Sequence, residues 1–304
     1  MDLYLPIAGV SVNALYIVAL GGLVGVLSGM FGVGGGFLTT PLLIFYGIPP
    51  TVAVASAATQ ITGASVSGVL AHTERKGVDY KMGGVLVAGG LLGTLAGAWI
   101  FRALQEGGQI DTVIELLYVA LLGSIGTLMA REAATSLGYL TPKKPASTRA
   151  HRHNRFLIRL PMRWRFYGSG LYISPLAPLM LGFVSGVLTV LLGIGGGFIV
   201  VPAMIYLLGM TTRVVVGTSL IMILFVTAAT TLVHALTTKS VDIVLAGLLL
   251  LGSVVGAQYG SRFAQTVRPD FLRLALAAVV LLVALRVGLG LGWRPEEIYT
   301  VQYL

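Results

Sequence analysis

Apolar residues in this chain come in long runs separated by short polar stretches, and this pattern predicts membrane-spanning helices. Eight runs hold 18 to 23 residues, enough to cross a hydrocarbon layer of about 30 Å as a helix. Two further runs hold only 11 residues. In chain order the ten runs are Asn13–Met30, Phe37–Gly47, Thr51–Ala71, Met82–Phe101, Thr112–Ala130, Leu171–Leu192, Phe198–Leu208, Val214–Leu236, Val241–Phe263 and Phe271–Leu291.

The composition supports an all-α membrane protein. Hydrophobic residues make up 56% of the 304 positions and charged residues 10%, against about 25% charged in soluble domains. Cysteine is absent, which excludes disulfides, thiolate metal sites and cysteine nucleophiles. No cofactor and no metal site are predicted.

Each short run follows a glycine-rich break. Gly32–Gly36 precedes Phe37, and Gly193–Gly197 precedes Phe198. At 1.5 Å per residue, an 11-residue helix spans roughly half of a bilayer. The two short runs are therefore predicted to be half-helices, either crossing the membrane with their neighbours or re-entering it.

The two sets of five runs match one another and indicate an internal duplication. Several residues recur at an offset of 161 to 163: Pro41 with Pro202, Gly47 with Gly209, His72 with His234, and Val78-Asp79 with Val241-Asp242. We interpret residues 1–130 as the first repeat, 131–170 as a linker, 171–291 as the second repeat and 292–304 as a tail. Because each repeat holds five segments, the two are predicted to be inverted in the membrane.

The distribution of positive charge predicts the orientation. Nine of the 20 Lys and Arg residues lie between Arg131 and Arg165, where Glu132 is the only acid. With the N-terminus outside and ten crossings, 16 cations fall on the cytoplasmic side and three outside. If the short runs re-enter, the count is 14 against five. Ten crossings are favoured, with both termini outside and the linker cytoplasmic at the inner membrane. The linker is expected to contact anionic lipid headgroups rather than nucleic acid.

The glycine breaks predict an anion site. The first amides of a helix lack partners within the helix, and the helix dipole makes that end positive. Glycine lets a ligand approach this backbone closely. The predicted site comprises Gly34, Gly35, Gly36 and Phe37 with Gly195, Gly196, Gly197 and Phe198. The alternative is that these glycines only allow close helix packing, and we adopt that interpretation for Gly93, Gly97, Gly256 and Gly260.

Polar side chains after each half-helix are candidates to complete the site. Ser56, Thr59 and Gln60 follow the first, and Thr218 and Ser219 follow the second. Hydroxyls and amides can donate to oxyanion oxygens, although such hydroxyls also bond to their own helix backbone. The matched His72 and His234 are candidates for proton coupling, with solvation at the membrane surface as the alternative.

The doubled Gly-x-Gly-Gly-Gly-Phe-x-x-x-Pro unit, at Gly32–Pro41 and Gly193–Pro202, resembles the TauE/SafE family of sulfite and organosulfonate transporters. Gly47-Ile48-Pro49-Pro50 and the stretch from His72 to Asp79 fit the same family, although Thr211-Thr212 replaces the Pro-Pro in the second half. The resemblance implies secondary transport of sulfite, sulfoacetate or a related sulfonate, often as export.

Two other functions compete with transport of a small anion. An anion channel could also use glycine breaks, as selectivity filters do. An intramembrane serine protease is a remote alternative, with Ser65 or Ser67 as nucleophile and His234 as base. Neither alternative accounts for the inverted duplication as well as alternating access does, so the protein is predicted not to be an enzyme.

Overall fold

The structure, a computed structural model, describes residues 2–31, 36–74, 77–136, 164–166, 168–210, 212–263 and 269–292. These residues form ten helices in two sets of five. The first set is α1 (Ala14–Phe31), α2 (Gly36–Phe45), α3 (Pro50–Glu74), α4 (Tyr80–Glu106) and α5 (Ile110–Ser136). The second set is α6 (Leu176–Leu192), α7 (Gly197–Tyr206), α8 (Thr212–Val233), α9 (Ile243–Phe263) and α10 (Pro269–Gly292).

The helices confirm the prediction of an all-α membrane fold. Each predicted run contains one helix, and the two short helices α2 and α7 have 10 residues each, or about 15 Å. By length and composition, five of the described helices could cross a membrane. These spans are Pro50–Leu70, Tyr80–Glu106, Ile110–Arg131, Val214–Thr238 and Ile243–Gly260.

Two short hairpins precede the two sets of helices, and neither was predicted. Strands β1 (Asp2–Leu5) and β2 (Val10–Asn13) pair antiparallel before α1, and β3 (Trp164–Phe166) and β4 (Leu171–Ile173) pair before α6. The apolar run from Leu171 is therefore not helical throughout. Its helix starts only after Ser174, whose hydroxyl accepts from the Leu176 amide.

Each half packs its first helix against the fourth helix of the other half. A Cβ on Gly93 of α4 would overlap the carbonyl of Phe183 on α6. The matching residue Gly256 of α9 lies in the same way against Gly22 of α1, which is the counterpart of Phe183. Glycine is needed at these crossings because the two backbones touch. This confirms the packing interpretation for Gly93 and Gly256. Gly260 is equally close to Val26 of α1, whereas a Cβ on Gly97 would lie 3.0 Å from Val187 Cα of α6.

The third helices of the two halves, α3 and α8, pack against each other in opposite directions. Thr62 Oγ1 lies 2.9 Å from Thr227 Oγ1, and Thr59 Oγ1 lies 3.3 Å from Thr231 Oγ1. Residue numbers therefore rise along one helix as they fall along the other. The seam between α3 and α8 is polar, and it lies beside the two breaks.

Two matched aspartates attach the hairpins to the helices. Asp79, at the start of α4, accepts from the amide and hydroxyl of Ser169 at 2.8 and 2.9 Å. Asp242, just before α9, accepts from the Ile7 amide at 3.4 Å. Both aspartates also cap their own helices and are buried. In each case the hairpin precedes one set of helices and the carboxylate belongs to the other set.

Candidate functional site

The two half-helices meet at their N-terminal ends. The rings of Phe37 and Phe198 stack with centroids 4.3 Å apart and planes 8° from parallel. Both rings are buried, and a Cβ on Gly36 would lie 3.2 Å from the Gly193 carbonyl oxygen. The structure therefore brings together the parts of the two predicted breaks that it describes. Gly34 and Gly35 lie outside the described residues.

The second break is an irregular segment between two helices, as predicted. Helix α6 ends at Leu192, and α7 begins at Gly197. Gly193, Gly195 and Gly196 have φ of 67°, 69° and 73°, a left-handed conformation that side chains other than glycine adopt only at a cost. The sequence of this segment thus permits the turn that reverses the chain into the half-helix.

The start of α7 presents backbone donors that no described residue pairs. The amides of Ile199 and Val200 already bond to the Gly196 carbonyl. Within the described part of the chain, the amides of Gly196, Gly197 and Phe198 have no acceptor. These are the donors that an oxyanion would use at a helix N-terminus. We call Gly195–Phe198 with these amides the second-break seat.

A serine that the sequence analysis missed faces this seat. A Cβ on Gly196 would overlap Ser185 Oγ, so the Ser185 hydroxyl lies directly against the Gly196 backbone. Ser185 is fully buried, and its hydroxyl has no hydrogen-bond partner among the described residues. The signal was present, because Ser185 and Thr189 are four residues apart on one face of an apolar helix. The equivalent of Ser185 in the first half is Val24.

Apolar side chains fill the space between the two half-helices. A Cβ on Gly36 would overlap Ile61 Cδ1, and a Cβ on Gly195 would lie 3.0 Å from Ile61 Cγ2. Ile61 thus contacts both breaks, and together with the stacked Phe37 and Phe198 it closes the space between them. Gln60, which precedes Ile61 on α3, is also buried, and its Oε1 has no partner within the described residues.

The other predicted polar residues of the site are engaged with backbone. Ser56 Oγ accepts from the Asp242 amide at 3.3 Å, and Thr218 Oγ1 accepts from the Asp79 amide at 3.0 Å. Thr59 and Ser219 donate to carbonyls one turn earlier in their own helices. These contacts give the hydroxyls a structural role, and their participation in binding stays a prediction.

His234 is buried at the end of α8, where the helix widens into a π-helical turn over His234–Thr238. Its Nε2 lies 3.1 Å from the Val190 carbonyl oxygen, and its Nδ1 lies 3.3 Å from Thr238 Oγ1. The ring is therefore not solvated at a membrane surface. The side chain of His72 lies outside what the structure describes, and proton coupling by the histidine pair stays a prediction.

Two side chains hold the last carbonyls of α6. The Tyr118 hydroxyl donates to the Leu192 carbonyl, and the His234 ring contacts the Val190 carbonyl. Such carbonyls lack partners at a helix end, so these contacts fix the backbone that leads into the second-break seat. Tyr118 is fully buried and was not predicted, because its role depends on packing between α5 and α6.

Comparisons with known proteins agree on one family. The family described as "Sulfite exporter TauE/SafE" matches residues 17–287. The chain is 29% identical over 272 residues to a probable membrane transporter protein, YjnA, of Bacillus subtilis, covering 89% of this chain and 98% of that one. It is 28% identical over 276 residues to a probable membrane transporter protein of Xylella fastidiosa, covering 90% and 93%. No solved structure matches it significantly. This chain is a multi-pass membrane transporter and belongs to the TauE/SafE family.

Proposed function

We propose that the protein moves a small sulfur oxyanion, such as sulfite, sulfoacetate or a related organosulfonate, out of the cell across the inner membrane. The observation that carries this proposal is the second-break seat, where three amides and the Ser185 hydroxyl beside them have no hydrogen-bond partner among the described residues. Backbone and hydroxyl donors suit an oxyanion because they bind it without a buried cation. The description of the matching family supports sulfite as the first candidate.

The closed space between the half-helices supports alternating access rather than a channel. Ile61, Phe37 and Phe198 fill the region that an anion would have to pass. An open pore needs a continuous path, whereas a transporter exposes its site to one side at a time. Both ring nitrogens of His234 contact groups other than a serine of α3. This leaves the protease alternative without its base.

The function is tested by counterflow in proteoliposomes with labelled sulfite and a panel of sulfonates and sulfate. Saturable uptake that is accelerated by unlabelled sulfite inside the vesicle supports the proposal. Flux that rises in proportion to the gradient, without exchange, would show a channel. Saturable exchange of sulfate alone would contradict the substrate class.

The Ser185 hydroxyl gives a prediction that separates binding from packing. Replacing Ser185 by alanine removes a donor that has no partner in the described protein, so the free energy of unfolding should hardly change. A hydrogen bond to a charged group contributes about 1.5–3 kcal/mol, so KM for the transported anion should rise by about 10- to 150-fold. Initial rates of uptake over a range of sulfite concentrations measure KM.

The matched control is Ser253→Ala on α9, where the buried hydroxyl donates to the Leu250 carbonyl of its own helix. That variant should leave KM within twofold of wild type. An unchanged KM in Ser185→Ala, with a lowered melting temperature, would assign Ser185 to packing alone.

We also propose that the two halves are inverted, with the termini outside and the linker cytoplasmic. The opposite directions of α3 and α8 support this, since these matched helices would run the same way if the short helices re-entered the membrane. Single cysteines can be introduced into the cysteine-free chain. A membrane-impermeant maleimide should label Gln109→Cys in intact cells and Ser147→Cys only after permeabilisation. The reverse pattern would overturn the orientation.

A further inference from the structure

A groove separate from the breaks lies between the starts of α4 and α6, beside the second hairpin. Its volume is about 550 Å³, within the range of about 300–1,000 Å³ that is common for small-molecule sites. Lys81, Trp164, Gly84, Ala88, Leu176 and Leu179 are among the residues that line it.

The walls of the groove are almost wholly apolar. Small residues lie along α4, where a Cβ on Gly84 would meet nothing within 4 Å and Ala88 follows one turn later. Leu176 and Leu179 of α6 form the opposite wall. The groove is apolar, lies on the outside of a membrane protein and extends along two parallel helices. This shape fits a hydrocarbon chain.

A cation lies at the mouth of this groove. Lys81 Nζ donates to the Arg165 carbonyl oxygen at 3.2 Å and lies 5.2 Å from the centroid of the Trp164 ring. An ammonium group has three donors, and these contacts use one of them for a hydrogen bond. Tyr80 and Trp164 are exposed beside it, as aromatic residues are at membrane–water interfaces.

The duplication supplies an internal comparison. The counterpart of Gly84 is Gly247 on α9, where a Cβ would also meet nothing within 4 Å. The counterparts of Lys81, Trp164 and Arg165 are Val244, Leu3 and Tyr4. An open small-residue surface is thus present in both halves, whereas the positive charge is present in only one. Fold symmetry alone does not account for that charge.

We propose that this groove binds one anionic phospholipid, with an acyl chain along Gly84 and Ala88 and the phosphate at Lys81. The linker rich in Lys and Arg leads directly into β3, so the groove is at the membrane face to which that linker belongs. The inference does not depend on the identity of the transported anion.

The test is a titration of the purified full-length chain in phosphatidylcholine nanodiscs with phosphatidylglycerol, read out as retained lipid by native mass spectrometry and as melting temperature. Wild type should retain one phosphatidylglycerol in preference to phosphatidylcholine. Lys81→Gln should weaken that preference about fivefold, the effect of about one cation at a membrane surface. Gly84→Leu should abolish retention by filling the groove, and Lys81→Arg should preserve it.

Gly247→Leu and Val244→Gln are the matched controls in the other half, and both should leave the preference unchanged. Gly84→Leu keeps Lys81 in place, so it decides the question even if Lys81→Gln loosens the hairpin. An unchanged preference in both Lys81→Gln and Gly84→Leu would overturn the proposal, and loss only on neutralising linker cations would assign lipid binding to the linker instead.

Discussion

Replacing Gly196 by alanine is expected to abolish transport while the protein still inserts and folds. At φ of 73° an alanine costs about 1–2 kcal/mol, and its Cβ would occupy the space that holds Ser185 Oγ. The Ser185 side chain can turn away, but its hydroxyl then no longer faces the amides. The methyl group of the alanine fills the second-break seat in its place. Uptake of labelled sulfite into proteoliposomes and the melting temperature in detergent measure the two effects separately.

Gly209→Ala is the matched control because its φ of 72° is nearly the same and a Cβ there would meet nothing within 4 Å. It should lower stability by about the same 1–2 kcal/mol and leave KM unchanged. Adding Ser185→Ala to Gly196→Ala should remove the part of the destabilisation that comes from the overlap and leave the cost of the left-handed φ. It should not restore transport, since the seat stays filled. Wild-type flux in Gly196→Ala would show that this glycine serves helix packing and not anion binding.

The second large effect, a loss of stability, is expected when a glycine at the contact between α4 and α6 or between α1 and α9 is replaced by alanine. An added Cβ at Gly93 or Gly256 would overlap a backbone carbonyl of the facing helix, and backbone cannot turn aside as a side chain can. Gly93→Ala and Gly256→Ala should each therefore push two helices apart and destabilise the protein by about 1–3 kcal/mol. Thermal unfolding in detergent, followed by circular dichroism, provides the measurement.

The controls lie on the same two helices. Gly84 of α4 and Gly247 of α9 have nothing within 4 Å of an added Cβ. Gly84→Ala and Gly247→Ala should be neutral or stabilising by about 0.5–1 kcal/mol, as for Gly→Ala within a helix. Equal melting temperatures for Gly93→Ala and Gly84→Ala would mean that α4 and α6 do not pack as closely as described.

The helices could be predicted from the sequence because membrane segments are set by local composition. Runs of apolar residues and the repeated glycine breaks located the ten helices of the described residues, including the two of 10 residues. The hairpins were missed since strands of three or four residues carry little periodic signal. Their hydrogen bonds to Asp79 and Asp242 were not predicted either, although the sequence showed that the two aspartates are matched.

The site was predicted in part for the same reason. Glycine carries its own conformational signal, so the break at Gly193–Gly197 was visible in the sequence. A hydroxyl does not reveal its partner. Ser56 and Thr218 were predicted to line the anion site, and in the structure each accepts a hydrogen bond from a backbone amide, while their part in binding stays a prediction. Ser185 was overlooked although its hydroxyl faces Gly196. Only the packing of α6 against the break distinguishes these serines and threonines.

The exchange of hairpins between the halves has a consequence for biosynthesis. Asp79 is synthesised long before its donor Ser169. Ile7 is synthesised near the start of translation, and its acceptor Asp242 only after most of the chain has been made. A buried carboxylate without its donors is unfavourable, so the N-terminal half cannot reach its final form during its own translation. Membrane insertion of the two halves is therefore followed by a late step in which each one completes the other.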